Sequence, residues 1–206
     1  MSVLRQLMVS VAFVIPALAQ AQGAGIADVV QRLRSGDPAV QRSALFDARR
    51  LGAGAGRGAT GADLVGALIE VLDGPDYLHR MFAAQAIGFI RPAASEVTSA
   101  LVRVARDAGQ PSDDQESVSS ARLAAIDALR EVRADRGTLL DVIAEALSDH
   151  NPRVRGGACM LAANVRPDAP EMLPRLKELA ASDPSDQVRL AAETAASAME
   201  KSLGAR

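Results

Sequence analysis

The chain has 206 residues, a formal net charge of -2, 49% hydrophobic and 23% charged positions, and 41 alanines against five aromatic residues and no Trp. That balance belongs to a globular protein of one or two domains whose core is made by close backbone approach and not by large rings, which favours helices. Near-neutral charge argues against a nucleic-acid partner, since phosphate affinity draws on a basic surface, and two His with one Cys argue against zinc sites and disulfide frameworks.

Residues 1–21 read as a signal peptide: Arg5 gives a positive start, Leu7 to Ala19 is almost entirely apolar, and small residues follow. Ala17 and Ala19 suit cleavage before Gln20, Ala19 and Ala21 cleavage before Gln22, and the second site is preferred. The apolar run falls short of the roughly 20 residues that span a bilayer, and Pro16 interrupts it, so the protein is expected to be periplasmic or extracellular with no stable membrane insertion after cleavage.

Residues 22–35 form an N-terminal capping helix in this reading, with Ile26, Val29, Val30 and Leu33 on one face, and 36–206 form a repeat domain. Asp37-Pro38, Asn151-Pro152 and Asp183-Pro184 each place a capping side chain before a proline, with Pro75-Asp76 as a variant, and each is followed by Arg in the first turns. Arg42, Arg80, Arg122, Arg155 and Arg189 stand 38, 42, 33 and 34 residues apart, a period that holds two helices and two turns. Three, four, six and seven residues beyond Arg80, Arg122 and Arg155 lie only small or aliphatic side chains and Cys159; beyond Arg189 the one departure is Glu193. The second helices show as the stripes Leu64 to Leu72, Val97 to Ala105, Leu139 to Leu147 and Leu173 to Ala180.

The Asp-Pro-x-Val-Arg start, followed by Ala-Ala-x-Ala-Leu-Gly as in Ala83-Ala84-Gln85-Ala86-Ile87-Gly88, resembles the HEAT-like repeats grouped with phycobilisome lyases, across about Gly36 to Ser202. The resemblance implies an all-α, right-handed α-solenoid of about four to five stacked helix pairs. A Gly-rich stretch, Gly52 to Gly61, and an acidic insert, Pro111 to Glu116, depart from the pattern.

The candidates for chemistry each have a plainer reading. The glycines lack the strand and the Gly-Lys-Ser/Thr ending of a phosphate loop and read as a flexible connection. Asp113, Asp114 and Glu116 match no calcium loop. His79 and His150 are 71 positions apart, and no His-Glu pair of the kind used by HEAT-repeat hydroxylases is present. Phe46, Tyr77, Phe82 and Phe89 read as core filler, and Cys159 as a buried thiol. The expected function is therefore an exported, non-enzymatic scaffold without cofactor or metal that binds a protein partner; a small-ligand-binding or enzymatic relative of lyase or hydroxylase type is the alternative. Partner contact is expected on the second helices, at Glu70, Arg103, Glu145 and Lys177. Asp37, Asn151 and Asp183, with Arg42, Arg80, Arg122, Arg155 and Arg189, are expected to stabilise the repeats. Mass spectrometry of the native protein is expected to find a chain beginning near Gln20 or Gln22; an intact Met1 overturns the export reading.

Overall fold

The structure, a computed structural model, describes residues 25–165 and 170–204, and the signal-peptide segment lies outside them. Among the described residues there are ten α-helices: α1 (25–33), α2 (Pro38–Leu51), α3 (Gly58–Leu72), α4 (Tyr77–Ile90), α5 (Ala94–Arg106), α6 (Gln115–Glu131), α7 (Arg136–Leu147), α8 (Pro152–Asn164), α9 (Leu173–Ser182) and α10 (Asp186–Gly204). No strand occurs among those residues, and the fold is an α-solenoid.

The even-numbered helices form one row, α2 on α4 on α6 on α8 on α10, with α4 against α6 the most extensive of these contacts. Alanine makes the spacing possible. Ala44 and Ala48, Ala83 and Ala84, Ala121 and Ala125, Ala158 and Ala162, Ala192 and Ala195 are all fully buried along this row. At Gly88 of α4 a Cβ would stand 3.6 Å from the Cα of Ala128 in α6, so the two helix backbones approach to van der Waals distance of one another's small groups. The odd-numbered helices form the second row and supply the larger side chains: Leu64, Leu68, Leu72, Leu101, Ile143 and Leu147 are fully buried between the rows. Apolar burial on this pattern is the main favourable term in holding the layers together, at ~25 cal/mol per Å2 removed from water.

The tight hairpins do not coincide with the sequence repeats. Each second helix packs on the first helix of the following repeat, as α3 with α4, α5 with α6, α7 with α8 and α9 with α10. At the start of the row α1 is tied to α2 by Arg32, which pairs with Asp47 at 2.8 Å, and by Gln41, whose Nε2 donates to the Leu33 carbonyl at 2.7 Å. Asp37, Asp76, Asp114 and Asn151 cap α2, α4, α6 and α8 by accepting hydrogen bonds from first-turn amides.

Three sequence expectations change here. Asp183 does not cap α10, which begins two residues later than its Asp-Pro signature suggests: the Ser185 carbonyl accepts the first intrahelical bond, from the Arg189 amide. The acidic insert leads directly into α6, which starts at Gln115, so Arg122 lies two turns inside the helix. The glycine-rich connection between α2 and α3, expected as a flexible link, packs against the end of α4 and the first turn of α3. Gly54, held at φ 95, donates its amide to the Ile90 carbonyl at 3.0 Å, a conformation that a side chain would disfavour. A Cβ at Gly61 would stand 2.6 Å from the Ala55 carbonyl oxygen and 2.8 Å from that of Gly56, so the first turn of α3 lies directly on this connection.

Gly61→Ala is accordingly expected to destabilise the fold by about 1–3 kcal/mol, the usual cost of overpacking. Gly66→Ala, on the same helix with nothing nearer than Arg34 Nη2 at 4.0 Å, should stabilise it. The helix propensity difference sets that gain at about 0.5–1 kcal/mol. Thermal melts of the two variants check both signs.

Candidate functional site

A row of arginine clamps runs along the N-terminal ends of the first-row helices. Arg80 of α4 donates from Nε to the Gly74 carbonyl at 2.6 Å and pairs with Asp107, just beyond α5. Arg122 of α6 donates to the Ala105 carbonyl at 3.0 Å and pairs with Asp149, just beyond α7. Arg155 of α8 donates to the Asp149 carbonyl at 2.8 Å and grips both oxygens of Asp183, just beyond α9, at 2.7 and 2.8 Å. Each of these aspartates uses its other capacity two residues on, accepting from the amides of Gly109, Asn151 and Ser185 at 2.9, 2.8 and 2.9 Å. One carboxylate thus fixes both the end of a second helix and the turn into the next repeat. Arg189 closes the row, donating to the Asp183 carbonyl at 2.7 Å and pairing with Asp186.

Arg42 does not belong to this row. Gln41 stands in the equivalent position, four residues after its cap, with Ala44, Leu45 and Ala48 at the buried offsets beyond it. Arg42 is exposed. Gln41 has no charge to offer an aspartate, and Asp73, the residue after α3, pairs instead with Arg103 of α5 at 2.7 Å. The Gln41 Oε1 accepts from Nδ1 of His79 at 2.8 Å, which leaves Nε2 of this buried histidine without a hydrogen-bond partner.

The expected partner-binding residues lie one on each second helix, and all four are exposed and ion-paired. Glu70 meets Arg34 at 2.9 Å, Arg103 meets Asp73, Glu145 meets Arg106 at 2.7 Å, and Lys177 meets Glu200 at 2.6 Å. They are not gathered into one site. The pairs of Glu70 and Glu145 run from one repeat to the next, and exposed pairs of this kind contribute about 0–1 kcal/mol each.

The outward face of the first-row helices is different, and the sequence reading missed it. Phe46 of α2 is 45% exposed, Phe89 of α4 53%, Met160 of α8 49% and Leu190 of α10 67%. Phe46 and Phe89 are therefore not core filler, whereas Tyr77 and Phe82 do pack partly against the core. The signal was present in the repeat register: counted from Gln41, Arg80, Arg155 and Arg189, these residues fall one, five or nine positions on, a stripe that points away from the second row. Phe46 stacks on Phe82 of the neighbouring helix, with centroids 4.8 Å apart, and the Arg49 guanidinium lies 5.2 Å from the centre of Phe89. Beside Phe89 a groove of about 340 Å3 opens between α4 and α6, floored by Ala84, Gly88 and Ala128 and bounded by Gly52, Ala53 and Arg91.

The remaining chemical candidates stay apart. Asp114 caps α6, Asp113 accepts from the Gln110 amide at 2.7 Å, and Glu116 pairs with Arg153. His150 is exposed beside Asp149. Cys159 is buried, and its burial, with the nearby Asp183 charge, pushes the thiol up to about 11. Among the described residues, no three His, Cys, Asp or Glu side chains gather as a metal site, and no helix is long and apolar enough to cross a membrane.

The fold is an α-solenoid of stacked helix pairs, and within it residues 112–197 match the family model of HEAT repeats. The chain is similar to a crystal structure of an engineered protein, at 18% identity, covering 91% of this chain and 83% of that one with a TM-score of 0.51. A designed armadillo repeat protein in complex with a (KR)4 peptide matches at 18% identity, covering 84% of this chain and 98% of that one with a TM-score of 0.35. No curated protein matches the chain.

The clamps lead to a stability prediction. Arg155 and Asp183 have side chains only 11% and 2% exposed, so Asp183→Asn leaves a guanidinium buried without its counter-charge. The expected cost is about 3–5 kcal/mol in urea unfolding, against about 0–1 kcal/mol for Asp73→Asn in its exposed pair. Arg155 holds the Asp183 carboxyl below its ordinary range. At Asp107, burial acts upward but is outweighed by the Gly109 amide and Arg80, and that carboxyl too is lowered. A depressed folded-state value means stability that is complete above the unfolded value, about 3.9 for Asp, and is lost as pH falls through the folded value. Wild-type stability should drop below about pH 4, and less steeply in Asp183→Asn.

Proposed function

We propose that this protein is an exported, non-catalytic scaffold that holds a polypeptide partner on the outward face of its first-row helices. The observation that carries the reading is the repetition of exposed apolar side chains, Phe46, Phe89, Met160 and Leu190, in α2, α4, α8 and α10. Scattered apolar residues on a surface need no explanation, but exposed apolar side chains at matching positions of four first-row helices, with Asp127 and Glu131 at those positions of α6, make a repeated pattern of the kind a protein contact uses. The opposite row supports the same choice of face: its ionic groups at Glu70, Arg103, Glu145 and Lys177 are engaged with neighbours in the chain. The non-catalytic part of the reading is supported by a thiol that burial keeps protonated and by two histidines on separate repeats. Export rests on the apolar segment after Arg5 and the small residues that close it.

A photo-reactive phenylalanine analogue placed at Phe46 or Met160, compared with the same group at Glu70 or Lys177, tests the face in the native cell. Adducts with one dominant protein from the first pair and none from the second are expected. Adducts from the second pair alone, or from neither, overturn the proposal.

A further inference from the structure

The N-terminal part of that face has a charge pattern that the rest lacks. Arg49 and Arg50 occupy the last turn of α2, and Arg57 ends the glycine-rich connection. Gly52 and Ala53, between Arg50 and Arg57 in the chain, bound the groove beside Phe89 together with Arg91. None of the three is in an ion pair among the described residues, although most arginines of this chain are. The Arg49 guanidinium lies over the Phe89 ring, and that of Arg57 rests beside Gly54. The carboxylates that line the groove are already engaged: Glu131 accepts from Arg91 and Arg130, and Asp127 accepts from Arg130 at 2.9 Å. Arg91 ends α4 in the left-handed region, at φ 50, where a non-glycine side chain is held at some cost.

Basic last turns also offset helix dipoles, and that alone would account for Arg49 and Arg50. It does not account for their company. A groove about 340 Å3 in volume with an alanine and glycine floor, at the small end of the ~300–1,000 Å3 typical of ligand sites, lies next to the unpaired Arg49 guanidinium, with Arg50 and Arg57 on the segments that lead into and out of its Gly52–Ala53 rim, in a chain whose net charge is -2. Guanidiniums recognise carboxylates by paired N–H donors, and an aromatic face with an alanine floor accepts an aliphatic or aromatic side chain.

We infer that the groove between α4 and α6 binds an acidic peptide segment of the partner, with an apolar anchor residue seated against Phe89, Ala84 and Ala128 and flanking carboxylates on Arg49, Arg50 and Arg57. This rests on the polypeptide-binding reading above and adds the chemistry of the segment that is bound. The anchor displaces water from the alanine floor, and the flanking acids set its direction and speed its arrival.

Fluorescence anisotropy with the full mature chain tests it. The probe is a labelled synthetic peptide with a central Leu-Phe flanked on each side by three Asp or Glu. Saturable binding that weakens with added salt is expected, reduced about tenfold or more by Phe89→Ala and by the double variant Arg49→Glu, Arg50→Glu. Glu70→Gln and Lys177→Gln should leave it unchanged. Phe89, Arg49 and Arg50 are surface positions, and thermal melts of the variants separate lost binding from lost folding. Equal binding of a peptide with Ser for Leu-Phe overturns the anchor. Preferential binding of one with Lys for the acids overturns the charge pattern while leaving polypeptide recognition standing. Absence of any peptide binding, with cross-links retained at Met160, overturns this site alone; absence of both overturns the broader reading as well. Binding of phosphatidylglycerol vesicles or of a thymidine 20-mer in place of the peptides assigns the patch to another partner class and overturns the inference.

Discussion

Everything in this molecule depends on how closely the first-row helices approach. A row of five helices stacked through alanine and glycine leaves no room for side-chain rearrangement at the contact, so each helix is set by its neighbours to within a methyl group. Ala44, Ala83, Ala125, Ala158 and Ala192 are all fully buried in this row. The bulk that a core requires is moved to the second row, whose leucines and isoleucines fill the space behind. The alanine excess and the scarcity of aromatic residues are two sides of the same arrangement.

Close stacking sets the spacing between helices but not their register along the axis, and the arginine clamps act on that second coordinate. A carboxylate that accepts from an arginine on one side and from a turn amide on the other allows little sliding, since any shift strands a buried charge. The clamp is an arginine–aspartate pair from Arg80 onward and a Gln41–His79 hydrogen bond at the N-terminal end. The exposed aromatic residues Phe46 and Phe89 and the unpaired Arg49, Arg50 and Arg57 lie at this end, on α2, α4 and the connection between α2 and α3.

The sequence made the architecture plain because helix starts and buried offsets are local chemistry. Capping by Asp37 and Asn151, the small residues at fixed distances beyond Arg80, Arg122 and Arg155, and the second-row stripes all follow from short-range rules. What is not legible there depends on one-residue register or on geometry across repeats. The spacing of arginines points to Arg42, while Ala44, Leu45 and Ala48 fit only a count from Gln41. Asp183 resembled a cap because it precedes a proline, while its carboxylate is held by Arg155, 28 residues earlier. Hydrophobicity alone places Phe46 and Phe89 in the core, and only the direction of the stripe separates them from the buried set. The groove beside Phe89 has no sequence signature of its own, since its lining comes from α4, α6 and the glycine-rich connection together.

The mismatch between sequence repeat and packed hairpin has a consequence for how such a chain can be divided or lengthened. The recurring Asp-Pro or Asn-Pro signature falls in the tight turn inside a hairpin, between a second helix and the first helix it packs against. A fragment cut at that signature exposes two apolar faces that belong together, whereas a cut after α4 or α6 leaves whole hairpins on both sides. The unit that recurs in the sequence and the unit that packs as a hairpin are thus offset by one helix, and grafting or trimming this solenoid has to respect the second of them.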